Sequence, residues 1–213
     1  MPTTAEAQAT TKKSKRKVPS YLIKEWVYDT PVYYKGYREV MQKSKTPEEI
    51  MADGTLQAAI KFWLSLLLGN QLNLSKYWIF SGEVGSHIAP RKNASHDLVI
   101  IEKRLLPPGK VSNRFADVPA RVVIEIDTAV EYGDGNPVEQ FVQQKTQQTL
   151  DFGTEKVIWI FTATQKVMVA TRDADWTISD WSKTIEVLDG VSFNVADFIA
   201  KEGISLDRPE GNF

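Results

Sequence analysis

The chain of 213 residues contains no cysteine. Disulfide frameworks, thiolate zinc sites, iron–sulfur clusters and cysteine nucleophiles are thereby excluded. The absence fits a reducing compartment, so a cytoplasmic location is expected. Histidine is nearly as scarce. His87 and His96 are the only two, too few for a three-histidine zinc centre, which leaves a hard cation held by carboxylates as the expected metal. Long apolar runs are missing too. The most apolar one, Phe62 to Leu68, falls far short of the ~20 residues that a membrane span needs. It reads as a buried helix, and no membrane association is expected.

There is also little excess charge: the net value is −1. That balance hides an asymmetry. The N-terminal segment carries Lys12, Lys13, Lys15, Arg16 and Lys17 against the single acid Glu6, so the remainder is net acidic. Residues 1–19 have almost no apolar side chain and are expected to be a disordered basic tail. No apolar stretch follows the lysines, so a secretory signal is not expected. The tail is either a nucleic-acid contact arm or a solvated extension. Residues 20–213 have the hydrophobic and charged content of an ordinary globular chain, and one domain is expected.

Helix and strand signals alternate along that domain. Tyr21 to Tyr37 is aromatic-rich and reads as extended segments, a hairpin edge with Gly36 at a turn. Thr46-Pro47-Glu48-Glu49 is a helix start with a capping box. Gly54-Thr55 then open a second helix or continue this one, through Leu68, with Gly69-Asn70 expected to end it. Strands are expected at Tyr77–Phe80, closed by a Ser81-Gly82 turn, and at Asp97–Ile101, with the acid at the strand's start. Ala120 to Asp127 is the most β-branched stretch and reads as a buried central strand. Val138 to Phe152 is a helix stopped by Gly153, and Val157–Phe161 is another buried strand. The strand–helix–strand order predicts a crossover between parallel strands. Lys166–Thr171 reads as an antiparallel partner, 175–189 as a β-meander, and 195–200 as a short helix. The class is α/β or α+β, with one central mixed sheet flanked by helices.

Two acids stand out against apolar strands. Asp97 heads four aliphatic residues, and Glu125 sits among Val122, Val123, Ile124 and Ile126. A carboxylate in a buried strand costs several kcal/mol unless paired or bound to a metal, on the order of what buried ions generally cost. Glu125 and Asp127 are two apart and share a strand face. With Asp97 they form a set that would suit Mg²⁺, which prefers oxygen ligands. The alternatives stay open: Glu125 pairs with a structural base, Asp127 forms a turn, and Asp97 merely starts a strand. Glu83, in a Gly-flanked turn, is either a surface turn acid or an additional acid near the site. Lys145 lies four residues after Phe141 and three after Val142, on the apolar face of its helix. It either snorkels or points at something negative. Acids around a cation, with a lysine to orient water and stabilise charge, make a constellation suited to phosphodiester hydrolysis.

The order Asp97, Glu125-x-Asp127, Lys145 resembles the PD-(D/E)XK nuclease superfamily, and within it the Uma family of restriction endonucleases. His96-Asp97-Leu98-Val99-Ile100 is similar to that family's Pro-Asp strand, and Ala120–Ile126 to its P-x-x-V-V-E-V strand. Lys145, eight residues before Gly153 and followed by Val157–Phe161, resembles its lysine helix and next strand. Leu188 to Phe198 is similar to its closing segment. Most of the chain, about 33 to 199, takes part. The resemblance implies a restriction-endonuclease-like core. It implies Asp97, Glu125 and the main-chain carbonyl of Ile126 as metal ligands, with Asp127 as a further candidate, and Lys145 as the catalytic lysine. In the usual superfamily site the lysine stands two residues after the glutamate; here that place holds Asp127. His96 replaces the family's proline, and Thr149 stands at its aromatic position.

The expected function is therefore a Mg²⁺-dependent DNA endonuclease, with Mn²⁺ able to substitute. Cutting both strands of a duplex with one site per chain implies a homodimer, with Trp26, Tyr33 and Tyr34 as candidate interface aromatics. The alternatives are a catalytically inactive nuclease-fold protein that binds nucleic acid or a protein partner, and a hydrolase of another phosphodiester.

Overall fold

The structure is a computed structural model that describes residues 17–89, 92–126, 130–133 and 135–206. Most of the basic tail and Asp127 lie outside the described residues. The tail's last basic residue, Lys17, precedes Val18, which packs against a small cluster of Leu22, Tyr33, Tyr37 and Val40.

In chain order the elements are β1 (Ile23–Val27), β2 (Thr30–Tyr34), α1 (Tyr37–Met41), α2 (Pro47–Met51), α3 (Thr55–Gln71), β3 (Tyr77–Ala89) and β4 (Lys92–Glu102). There follow β5 (Val122–Ile126), β6 (Val130–Tyr132), α4 (Val138–Asp151), β7 (Lys156–Phe161), β8 (Lys166–Thr171) and β9 (Thr177–Asp180). The last are β10 (Ile185–Leu188), β11 (Val191–Phe193) and α5 (Val195–Lys201). A six-stranded mixed sheet has the order β3-β4-β5-β7-β8-β9. β5 and β7 pair in parallel, joined through α4 as the strand–helix–strand reading requires. The other neighbours in this sheet pair antiparallel. This is an α+β architecture with helices on a large mixed sheet.

Alternation along the central strands divides the core between two faces. Leu98, Ile100, Ile124 and Ile158 point to one side, where they meet Ile60, Leu64 and Leu68 of α3 and Phe198 and Ile199 of α5. Val99, Val123, Val157 and Trp159 point to the other, against Phe141, Val142 and Leu150 of α4. All five residues of β5 are buried, as a strand covered on both faces requires. Trp159 donates through Nε1 to Thr146 Oγ1 at 2.8 Å, fixing α4 on the sheet next to Lys145.

Several expectations are corrected. The Ser81-Gly82 turn is a bulge inside the long strand β3: Gly82 and Glu83 take φ of 93° and 56°, and the register with β4 shifts between Ser81 and Val84. The extra residue is absorbed while pairing continues on both sides. As a result β4 begins at Lys92, and Asp97 is mid-strand rather than at a strand start. Gly69 does not end α3, which continues to Gln71. The penalty of about 1 kcal/mol for an internal glycine is outweighed where burial of Leu68 and Leu72 holds the last turn down. The run Phe62 to Leu68 is buried along one stripe only: Phe62 is 66 % and Leu66 50 % exposed. The 175–189 segment is split. β9 closes the large sheet, whereas β10 turns away to pair with β11. Tyr33 is buried and stacked on Tyr37 at 4.4 Å, which removes it from the candidate interface. Among the described residues no helix is long and apolar enough to cross a membrane.

Candidate active site

β4 and β5 run antiparallel with Leu98 opposite Ile124. Asp97 precedes Leu98 and Glu125 follows Ile124, so both stand at the same end of this pairing. Glu125 follows Val123 onto the α4 face. Asp97 leans toward the end of β5, where its Oδ2 accepts the Ile126 N–H at 2.7 Å. Both carboxylates line one cavity of about 40 Å³, together with Lys145, Glu25, Gln57 and Ile126.

Lys145 reaches this cavity from α4 and is 3 % exposed. Its ammonium has three donors and three acceptors: Glu25 Oε1 at 2.9 Å, Ser95 O at 2.7 Å and Glu125 Oε1 at 3.1 Å. The buried charge is thus fully satisfied, as its burial demands. Phe141 and Trp159 flank it, each with its ring centroid 5.7 Å from Nζ. The helical spacing that placed Lys145 on the apolar face is borne out, and its target is negative. Thr149, at the position where the family resemblance has an aromatic residue, bonds through Oγ1 to the Lys145 carbonyl at 2.8 Å.

The same Glu125 Oε1 is 2.7 Å from His96 Nδ1. Burial works to raise the Glu125 carboxyl, but the Lys145 charge and the His96 contact prevail and hold it at about 2. Lys145 is pushed upward by Glu125 and Glu25 despite its burial. Asp97 moves the other way. Burial and the neighbouring Glu125 charge raise it, and the Lys61 ammonium only partly offsets them. Adjacent carboxylates whose affinities for protons are driven apart occur at catalytic sites and also in structural ion-pair networks.

Several contributors carry no clear signal in the sequence. Glu25 sits after a register shift between β1 and β2, and such an irregularity re-aims a side chain. Its Oε2 also accepts the Ser95 N–H at 3.3 Å. His96, in the place where the family resemblance has proline, contacts Glu125 Oε1 through Nδ1. Lys61 of α3 lies 2.7 Å from Asp97 Oδ1 and 2.7 Å from Asp53 Oδ2. Gln57 donates to the Ile126 carbonyl at 2.8 Å, the same oxygen expected to serve a metal. The signal that found Lys145, a charged group at the edge of an apolar stripe, applies more weakly to Lys61. Its neighbours one turn away, Gln57 and Ser65, are polar and suggest a solvated face. Glu83 does not line the cavity, although its partner Lys24 does. It is exposed and sits 3.7 Å from Lys24.

The donor set fits a hard cation. Asp97, Glu125 and the Ile126 carbonyl offer oxygen only, and Mg²⁺ commonly takes one or two carboxylates plus waters. Among the described residues no group of three or more His, Asp or Glu side chains is disposed to hold a metal. The set is therefore two carboxylates and a carbonyl, and the third acid of the sequence expectation, Asp127, lies outside the described residues.

No family model matches the chain, and no curated protein does. Its fold is similar to the crystal structure of a putative nuclease belonging to DUF820 from Anabaena variabilis ATCC 29413. The TM-score is 0.57, at 15% identity, over 70% of this chain and 83% of that one. The likeness is one of fold: a mixed sheet flanked by helices.

Proposed function

We propose that the protein is a metal-dependent endonuclease of the PD-(D/E)XK superfamily, of the Uma type, hydrolysing DNA phosphodiester bonds. The observation that supports it is the convergence of Asp97 and Glu125, from neighbouring strands, with the buried Lys145 ammonium 3.1 Å from Glu125. Asp97, Glu125 and the Ile126 carbonyl would hold Mg²⁺, or Mn²⁺ in its place. The cation would supply positive charge against the scissile phosphate. Lys145 is the catalytic lysine: it orients the attacking water and stabilises charge on the phosphorane. With all three of its donors engaged, it gives up one acceptor to do so. Glu25, 2.9 Å from the same ammonium, helps to hold Lys145 in place.

A DNA substrate, cleaved by a homodimer in the cytoplasm, completes this reading. The basic residues 12–17 would contribute phosphate contacts that the net acidic remainder lacks. A second reading, an inactive nuclease-fold protein that binds nucleic acid or a protein partner, draws on one observation. Lys61 and Gln57 already occupy Asp97 Oδ1 and the Ile126 carbonyl.

Incubation of the full chain with supercoiled plasmid in Mg²⁺, Mn²⁺ or EDTA separates the two. Nicking or linearisation that EDTA and Asp97→Asn both remove supports the endonuclease. Plasmid that stays intact in both metals, with retained DNA binding, supports the second reading.

A further inference from the structure

Helix α3 sends two polar groups into the acidic site. Gln57 and Lys61 are one turn apart on one helix face. Gln57 Nε2 donates to the Ile126 carbonyl at 2.8 Å. Lys61 Nζ lies 2.7 Å from Asp97 Oδ1 and the same distance from Asp53 Oδ2. The other Asp97 oxygen already accepts the Ile126 N–H. Two of the oxygens that suit a hard cation therefore carry a donor from α3.

We propose that Lys61 is the site's resident counter-cation, that a divalent cation must displace it from Asp97 Oδ1, and that Asp53 retains the displaced ammonium. The inference rests on the metal-dependent reading above and adds what sets the metal affinity. An ammonium and a divalent cation on one carboxylate oxygen repel each other strongly where solvent is scarce, and the Lys61 and Asp97 side chains are 12 % and 11 % exposed. One of them has to leave. Asp53, just before α3, is more open, at 37 %, and already within bonding distance. Lys61 thus surrenders one partner rather than both. Until metal arrives, its charge neutralises a carboxylate that Glu125 repels, so the site packs without a cation. Gln57, as a neutral donor, yields its carbonyl more readily than Lys61 yields a carboxylate.

The test is calorimetric titration of the full chain with Mn²⁺ at pH 8, comparing wild type, Lys61→Met, Asp53→Asn and Asp97→Asn. Loss of the competing charge-assisted bond should tighten Mn²⁺ binding in Lys61→Met by about tenfold or more. Asp53→Asn should weaken it, because Lys61 then has Asp97 as its sole anionic partner. Asp97→Asn should abolish it. Thermal unfolding gives a second readout, since Mn²⁺ should raise the Tm of Lys61→Met more than that of wild type. Binding that depends on Asp97 but is equal or weaker in Lys61→Met overturns this inference and leaves the metal site standing. No Asp97-dependent binding in either wild type or Lys61→Met overturns both. Should Lys61→Met not fold, Asp53→Asn decides: unchanged or tighter binding refutes the displacement.

Discussion

Lys145 Nζ and Glu125 Oε1 stand 3.1 Å apart, one on α4 and the other on β5, both shut off from solvent. Neither is affordable alone in that position. The pair is completed by Glu25, whose Oε1 is 2.9 Å from the same ammonium. The three form a unit in which two negative charges share one positive one.

Removing the shared cation should therefore cost more than removing either anion. Lys145→Met leaves two buried carboxylates facing each other and is expected to destabilise by about 3–5 kcal/mol, the usual loss on breaking a buried pair. Glu25→Gln leaves Lys145 with Glu125 and should cost less. The double variant should be more stable than the sum of the single losses predicts, because the amide no longer repels Glu125. Urea denaturation of the four proteins measures this. Simple additivity would show that the three side chains are not coupled.

Much of this arrangement was legible in the sequence, for a definite reason. Asp97, Glu125 and Lys145 each break a strong apolar pattern, so each declares itself against its own neighbours. Glu25 and Lys61 do not. Glu25 lies between Lys24 and Trp26, and a strand irregularity interrupts its alternation with Ile23 and Val27; Lys61 is flanked one turn away by the polar Gln57 and Ser65. Their partners, Lys145 and Asp97, come from elements distant in the chain, so the contact is a tertiary fact with no local trace. The same holds for Gly82. A local reading makes it a turn, whereas pairing with β4 on both sides keeps the strand going.

The exposed stripe of α3 makes a sharp contrast with its buried one. Phe62 is 66 % exposed and Leu64 is fully buried among Leu68, Ile124 and their neighbours. Phe62→Ser should change stability by no more than about 0.5 kcal/mol. Leu64→Ala should cost about 2–5 kcal/mol through lost burial and the cavity left behind. Thermal melts of the two variants check this. If α3 also mediates self-association, Phe62→Ser will lower the mass seen by light scattering without lowering the monomer's stability.

Gly153 stops α4 with a φ of +118°, and its N–H bonds to the Leu150 carbonyl at 3.0 Å. A Cβ there would also approach Pro119 to 3.1 Å. Gly153→Ala combines an unfavourable backbone angle with a tight contact and should cost about 1–3 kcal/mol. Gly109→Ala is its control, since nothing lies within 4 Å of a Cβ at that position and its backbone is outside the left-handed region. Equal melting temperatures for the two variants would contradict the account of the α4 terminus.

The split between the two carboxylates predicts opposite pH responses. Glu125 is held at about 2 in the folded protein against an ordinary value of 4.5. A lowered folded-state pKa means that the ionised form stabilises the fold. That contribution is complete above pH 4.5 and disappears as the pH falls toward 2. It amounts to something on the order of 3 kcal/mol. Glu125→Gln lacks it, so the stability gap between wild type and this variant should be constant at neutral pH and shrink across that acidic window. Asp97 is raised by burial and by the Glu125 charge, so its ionised form opposes folding. Wild type should then gain on Asp97→Asn as the pH drops through the Asp97 folded-state pKa, the reverse trend. Urea midpoints for the three proteins between pH 2 and pH 8 read both slopes. A gap to Glu125→Gln that stays constant down to pH 2 would mean that Lys145 and His96 do not hold the Glu125 charge in the way their 3.1 Å and 2.7 Å contacts imply.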